Sequence, residues 1–252
     1  MKRILTVLLL FLLTGAALAA DNREKVIGRL DAAATIMDEI MAAPDKGIPE
    51  EVLGSADCVA IVPSFLKGGF VVGGAYGKGV ATCRTPQGWS APAFFRMEGG
   101  SFGLQIGGEA ADLVMLIMNE KGMQHLMSSK FQLGVDAAAV AGPVGRHAEG
   151  DTDWKLRAEV LTYSRSRGLF AGISLKGNTL RQDKDDTRAF YGRMVPFRTS
   201  LTGKIAPPAE AHTFLAAVSK YAIRASGEKP AQPAPKPEPA AQPAPQPQAT
   251  KQ

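Results

Sequence analysis

The chain has 252 residues, with 29 lysines and arginines against 24 aspartates and glutamates and a formal net charge of +5. Most of this charge lies at the two ends, because residues 20–228 contain 24 basic and 23 acidic side chains. A nearly neutral body excludes a global basic field of the kind that attracts nucleic acid, so any anionic partner must be met by a local patch.

The first nineteen residues have the pattern of a secretory signal peptide. Lys2 and Arg3 are followed by an apolar run at residues 4–13 and by the small-residue ending "ALA", which predicts cleavage between Ala19 and Ala20. The apolar run is shorter than the roughly 20 residues that a membrane-spanning helix needs. We therefore expect a mature protein that is periplasmic or secreted.

Residues 229–252 are composed almost entirely of proline, alanine, glutamine and charged residues. Such a segment cannot bury enough apolar surface to offset the entropy of ordering it, so the composition predicts a disordered, extended tail. The tail could act as a solvated spacer or as a docking ligand. Between the two ends, residues 20–228 have the length of one domain with a full hydrophobic core.

Residues 22–43 have the periodicity of an amphipathic helix. Apolar residues recur there every three or four positions, at Val26, Leu30, Ala33, Met37 and Ile40. Three basic side chains lie near the start of the helix, namely Arg23, Lys25 and Arg29. The apolar stripe either covers a sheet or lies in a membrane interface, with these cations near the lipid head groups.

From Asp57 onward the texture changes to short β-branched and glycine-rich runs that are divided by turn signals. The runs are "CVAIV", "GGFVVGGAY", "GKGVATCR", "SAPAFFRME", "SFGLQIGG", "ADLVMLIM", "VDAAAVAGPVG", "LRAEVLTYSRS" and "GLFAGISLKG". This pattern predicts strands at hairpin-like intervals, with glycine permitting bends and close backbone approach. Helical patterns interrupt the strands at residues 119–129 and close the domain at 183–192 and 207–226. The predicted class is α+β, with a strongly curved, glycine-rich antiparallel β-sheet or barrel and flanking helices.

Cys58 and Cys83 are the only two cysteines, and they stand at the ends of neighbouring strand-like runs. In an oxidising compartment we expect them to form one disulfide. A pair of buried free thiols is the alternative.

Three motifs suggest chemistry, and each lacks a required part. The run "VVGGAYGKGV" at 71–80 lacks the first glycine and the hydroxyl residue of a phosphate-binding loop. In "GGSFG" at 99–103, strand-like alternation follows Ser101 where a nucleophile elbow needs a helix. The acidic run 183–186 lacks the glycine and the final glutamate of a calcium loop and is typical of a helix N-terminus. We predict no enzyme, cofactor or metal site, with a serine hydrolase using Ser101 as a remote alternative.

The run "YSRSRGLFAGISL" begins at Tyr163. Arg165 and Arg167 alternate on a predicted strand and so point to one face, and Leu169 and Phe170 follow at a turn. Guanidinium groups suit phosphate oxygens, and an exposed Leu-Phe pair could enter an acyl layer. Alternatively, each arginine pairs with a carboxylate such as that of Glu159, and Phe170 belongs to the core.

Several long motifs occur in an order that resembles the SYLF domain family, which is found in bacteria and in eukaryotic proteins of membrane traffic and the actin cytoskeleton. They are "GIPEEVLGSADCVAIVPSFLKGGFVVGGAYGKGV", "GWSAPAFF", "EGGSFGLQIGGEAADLV", "KFQLGVDAAAVAGPVGR" and "YSRSRGLFAGISLKG". The resemblance runs from about Asn22 to near Gly192.

This resemblance implies a non-enzymatic lipid-binding domain, since family members are described as binding phosphoinositides or other anionic phospholipids, and some as binding actin. By this analogy we expect lipid contacts at Arg23, Lys25, Arg29, Arg165, Arg167, Leu169 and Phe170. For an exported protein the expected partners are anionic phospholipids of the bacterial envelope, with neither actin nor nucleic acid. The alternative is a structural or interaction protein tethered through its Pro-rich tail.

Overall fold

The computed structural model describes residues 2–43, 47–69, 72–102, 107–143, 158–166, 169–172 and 175–223. The predicted tail at 229–252 lies outside the described residues. No helix within the described ranges combines the length and the apolarity that crossing a membrane requires.

Helices of very different length flank a large sheet. The α-helices are α1 (Lys2–Met41), α2 (Glu50–Ser55), α3 (Glu120–Met127), α4 (Lys184–Tyr191), α5 (Phe197–Leu201) and α6 (His212–Tyr221), and a 3₁₀ turn spans Ala209–Ala211. The side chain of Asn119 caps α3 by accepting a hydrogen bond from the Gly122 amide. Asp183 caps α4 in the same way, which confirms the acidic run as a helix N-terminus.

The sheet has ten strands in the described part of the chain. They are β1 (Cys58–Gly69), β2 (Val72–Thr85), β3 (Gly88–Trp89), β4 (Ala93–Phe102), β5 (Gly107–Ile117), β6 (Lys130–Gln132), β7 (Ala139–Ala141), β8 (Val160–Ser166), β9 (Leu169–Gly172) and β10 (Thr179–Gln182). Eight strands form one path in the order β6-β10-β4-β2-β1-β5-β8-β7, while β3 pairs with β2 and β9 with β8. All pairs are antiparallel except β7 with β8.

The two outermost strands of this path, β6 and β7, are consecutive in the chain and are joined by residues 133–138. So short a connection requires the two edges of the sheet to approach each other, and the sheet therefore curls strongly into a half-barrel. This architecture confirms the predicted α+β class with its curved, glycine-rich sheet.

The curled sheet has an inner and an outer face, and strand alternation assigns each side chain to one of them. Buried apolar side chains form one hydrophobic cluster on each face, which we call the outer and the inner cluster. On β4, Phe94 belongs to the outer cluster and Phe95 to the inner cluster. The inner cluster is completed by α3 and α5, whereas α1, α2, α4 and α6 cover part of the outer face. Every residue of the predicted α1 stripe is buried, with at most 1% of its surface exposed. The stripe therefore covers the sheet.

Glycines mark the places where the curled strands approach most closely. A Cβ on Gly79 would lie 2.4 Å from Cζ of Phe95 and 2.6 Å from the carbonyl oxygen of Ile61. A Cβ on Gly77 would lie 2.6 Å from Cγ1 of Val62. Real Cβ atoms do not make contacts this short, so glycine is required here for packing.

Some boundaries differ from the predicted ones. The run "GGFVVGGAY" reads as one strand, but β1 ends within it at Gly69 and β2 begins at Val72, because Gly68 pairs with Gly74 across a hairpin. Four short elements, β3, β6, β10 and α5, were not predicted. They contain only two to five residues, which is too few for a periodic pattern to emerge.

Cys58 and Cys83 lie directly opposite each other on β1 and β2. Their sulfur atoms are joined in a disulfide, and both side chains belong to the inner cluster. The bond therefore crosslinks neighbouring strands at the centre of the sheet path.

Candidate functional site

Arg23 and Lys25, the first two cations of the predicted α1 site, are already paired with carboxylates. Arg23 contacts Glu210 in the 3₁₀ turn before α6, and Lys25 lies 2.5 Å from the carboxylate of Asp21. All four side chains are at least one-third exposed. A lipid phosphate would thus compete with a protein carboxylate at both positions.

Arg29, the third predicted α1 cation, lies in a buried ionic cluster that joins α1, β2 and α4. Its Nη1 is 2.6 Å from Oδ2 of Asp186, and Nζ of Lys78 is 3.0 Å from the other oxygen of that carboxylate. Lys78 also lies 2.8 Å from Asp183, whose side chain is 2% exposed. The cluster holds α1 and α4 against the sheet, which is a structural use of Lys78 and Arg29.

The environment of this cluster shifts two pKa values in opposite directions. Burial by itself raises the pKa of Asp183, but hydrogen bonds from Lys78 and from the Asp186 amide outweigh it, so the pKa lies below its ordinary value. Burial lowers the pKa of Lys78, but its hydrogen bonds to Asp183 and Asp186 outweigh this effect and the pKa is raised. Both groups are therefore charged at neutral pH.

Arg165 is also paired. It contacts Glu39 of α1, and its Nη1 lies 3.9 Å from the carboxylate of Asp112, which is directly opposite on β5. The partner suggested from the sequence, Glu159, instead contacts Lys121. Arg165 thus links the C-terminal part of α1 to the sheet.

The other residues of the predicted arginine site are only partly placed by the structure. Leu169 and Phe170 belong to β9, and Phe170 pairs with Arg165 in register. Their side chains lie outside the described ones, as does the whole of Arg167. A lipid contact at Arg167, Leu169 and Phe170 stays a prediction.

Ser101 lies inside β4, where it pairs with Gly73 of β2. The next described element, β5, is another strand. A nucleophile elbow requires a turn from a strand into a helix, so Ser101 does not occupy such a turn. In the described part of the chain, no three His, Cys, Asp or Glu side chains come together as ligands for a metal ion.

A surface that was not predicted lies on the outer face of the sheet, beyond the area that the helices cover. We call it the basic sheet face, and it consists of Leu66, Tyr76, Arg96, Glu98, Lys130 and Arg181. Its three cations form a row across three strands, since Arg96 is directly opposite Arg181 and Arg181 is directly opposite Lys130. Side chains at directly opposite positions share one face of a sheet.

A second row of the basic sheet face runs beside the cations. Leu66 is opposite Tyr76, and Tyr76 is opposite Glu98. Leu66 and Tyr76 are 54% and 44% exposed and lie directly opposite each other, so they form a small exposed apolar patch. Cations and exposed apolar groups are thus adjacent on one surface.

The sequence gives little sign of this surface. Arg96, Lys130 and Arg181 are more than 80 residues apart at their extremes, and each lies beside an apolar residue that reads as ordinary strand alternation. A charged or polar residue at every second position, as at Arg96 and Glu98, is the one local signal. Only the strand register brings the three cations together.

Comparison with known proteins places the chain in context. Residues 98–221 match the family model described as "Ysc84: Las17-binding protein actin regulator". An SH3 domain-containing YSC84-like protein 1 from Xenopus laevis is 39% identical over 171 residues, covering 67% of this chain and 51% of the relative. The mouse protein of that name is 32% identical over 217 residues, covering 78% and 64%.

A yeast relative, LAS seventeen-binding protein 3 from Saccharomyces cerevisiae strain YJM789, is 35% identical over 168 residues, which cover 65% of this chain and 36% of the relative. The chain thus spans between about a third and two thirds of the length of these relatives. The family match, the two vertebrate relatives and the predicted resemblance agree, and the chain belongs to the Ysc84/SYLF domain family.

Proposed function

We propose that this protein is a non-enzymatic peripheral binding protein for anionic phospholipid surfaces in the bacterial envelope. The observation that carries the proposal is the basic sheet face, where Arg96, Lys130 and Arg181 lie beside exposed Leu66 and Tyr76. A domain with a nearly neutral body meets an anionic surface only through such a local patch. Cations next to apolar and aromatic groups are the pairing that a membrane interface favours.

The placement of Ser101 supports a non-enzymatic role. It lies in the middle of paired strands rather than at the turn where a serine hydrolase positions its nucleophile. The family model is described by binding and regulation, and its description names no reaction. Binding is therefore the activity to be tested.

Export is supported by the disulfide between Cys58 and Cys83, since such bonds persist in oxidising compartments. We expect an exporting bacterial host to process the chain so that its N-terminus is Ala20. Mass spectrometry of the purified protein measures this directly. An intact chain that still begins at Met1 would contradict the proposed location.

Lipid binding is tested by co-sedimentation of the processed protein with vesicles. We expect it to pellet with phosphatidylglycerol vesicles at low salt and to remain in solution with phosphatidylcholine vesicles. Because ions screen the contacts between surface charges, vesicle binding should weaken several-fold as the salt concentration rises from about 0.05 M to about 0.5 M. A protein that ignores both vesicle types at low salt would exclude the proposed function.

The family's description supports a second candidate, a protein-binding role, because it names Las17 binding. In this version the domain is a rigid body and residues 229–252 act as a tether. Deleting 229–252 should then abolish localisation while leaving vesicle binding unchanged. Loss of vesicle binding with the tail would instead assign the lipid contact to the tail.

A further inference from the structure

We propose that Arg96 and Arg181 form a clamp for the phosphate of a membrane lipid, and that Glu98 occupies this clamp when no membrane is bound. The inference rests on the proposed function and locates it at the basic sheet face rather than at α1 and Arg165. Arg96 and Arg181 are directly opposite on β4 and β10. Two like charges at directly opposite positions repel, so an anion between them stabilises this pair.

Glu98 supplies that anion within the folded chain. Its Oε1 lies 2.9 Å from Nε of Arg96, and its Oε2 lies 3.8 Å from Nε of Arg181. Neither contact is a hydrogen bond, because Nε of Arg96 and Nε of Arg181 are both buried without a hydrogen-bond partner, so one carboxylate serves the two guanidinium groups only through charge. The three side chains are between 36% and 39% exposed although both Nε atoms are buried, so solvent or a ligand reaches other atoms of these side chains.

The local charge leaves the clamp with a net positive charge. Among the described residues, Glu98 is the only one whose carboxylate oxygens come within 4 Å of a side-chain nitrogen of Arg96 or Arg181. No described carboxylate comes that close to the side-chain nitrogen of Lys130. Lys78 lies directly opposite Arg96 on β2 but is paired with Asp183 and Asp186, so the three remaining cations face one carboxylate. A phosphodiester offers two oxygens to the planar guanidinium forks and suits this arrangement better than a single carboxylate does.

The surroundings of the clamp favour a lipid surface as the source of the phosphate. Leu66 and Tyr76 extend the row that begins at Glu98, and both are exposed. The next pair along these strands, Gly74 opposite Gly100, carries no side chains, and a Cβ at either position would meet only open space. No side chain of this glycine pair therefore protrudes where the face would approach a bilayer, and a small soluble phosphate would leave the apolar pair unused.

The test compares four charge variants of the processed protein on vesicles that contain phosphatidylglycerol. We expect Arg96→Gln/Arg181→Gln to bind at least tenfold more weakly than the unmodified protein, because two cations at the surface are removed. We expect Glu98→Gln to bind several-fold more tightly, because the competing carboxylate is gone. The matched control is Arg198→Gln/Lys204→Gln, which removes two exposed cations at α5 and the turn after it and should leave binding unchanged.

The fourth variant, Arg165→Ala/Arg167→Ala, addresses the site predicted from the sequence. If it loses binding while Arg96→Gln/Arg181→Gln keeps it, the clamp is wrong and the proposed function stands. If the unmodified protein binds no anionic vesicle, the proposed function itself fails. Glu98→Gln keeps the clamp testable should the double-arginine variant not fold, since unchanged or weaker binding by Glu98→Gln also contradicts it.

Two further measurements separate a membrane from a soluble phosphate. We expect Leu66→Ser/Tyr76→Ser to reduce vesicle binding at least threefold at high salt, where the apolar contribution dominates. We also expect inorganic phosphate in millimolar amounts to leave binding unchanged once ionic strength is matched with chloride. Release of the protein by phosphate under these matched conditions would assign the clamp to a free anion and overturn the membrane version.

Discussion

Replacing Asp183 with alanine is expected to lower the free energy of unfolding by about 3 kcal/mol. The substitution removes the N-cap of α4, where Asp183 accepts hydrogen bonds from the amides of Asp185 and Asp186. It also removes one of the two carboxylates that neutralise Lys78. Urea unfolding measures the change.

Asp185 provides the matched control, because it lies in the same turn of α4 but its side chain is 86% exposed. Asp185→Ala should change the free energy of unfolding by about 0.5 kcal/mol or less. Equal effects of the two substitutions would show that the buried cluster contributes nothing beyond the local charge at the start of the helix.

The same cluster predicts how stability depends on pH. The pKa of Asp183 is lower in the folded state, so its contribution is fully present above about pH 4 and is lost as the pH falls through the folded value. The pKa of Lys78 is raised, so its contribution is present below about pH 10 and is lost as the pH rises further. Unfolding midpoints measured against pH should decline on both sides, and Asp183→Asn should flatten the acid side.

Reducing the disulfide between Cys58 and Cys83 is expected to lower the free energy of unfolding by about 3.5 kcal/mol, the loop-entropy value for a loop of this size. The two cysteines are 25 residues apart in the chain. Both are fully buried, so the reductant acts when the chain unfolds. The measurement is the urea midpoint with and without reductant.

The double variant Cys58→Ala/Cys83→Ala separates the crosslink from the packing of the sulfur atoms. Its unfolding midpoint should not respond to reductant, although deletion of the buried sulfurs lowers its stability further. An unmodified protein whose midpoint is the same under oxidising and reducing conditions would contradict a stabilising disulfide.

Local patterns account for most of the fold. The stripe from Val26 to Ile40 predicts α1 and its buried side, since a helix repeats every 3.6 residues whatever it packs against. The acidic run at Asp183 predicts the start of α4, because side-chain capping acts within one turn. Glycines such as Gly79 predict close approach, although the group approached, Phe95, is distant in sequence.

Less of the candidate site than of the fold could be predicted from the sequence. Composition and motifs determined that the chain has a nearly neutral α+β body at residues 20–228 and belongs to the Ysc84/SYLF family, because charge count and periodicity are properties of the chain itself. Only the tertiary structure decided which cations have partners. It placed Arg29 against Asp186 and Arg165 against Glu39, and it brought Arg96 opposite Arg181. Ion pairs and strand register join residues that are distant in sequence, and a contact between distant residues exists only once the chain has folded.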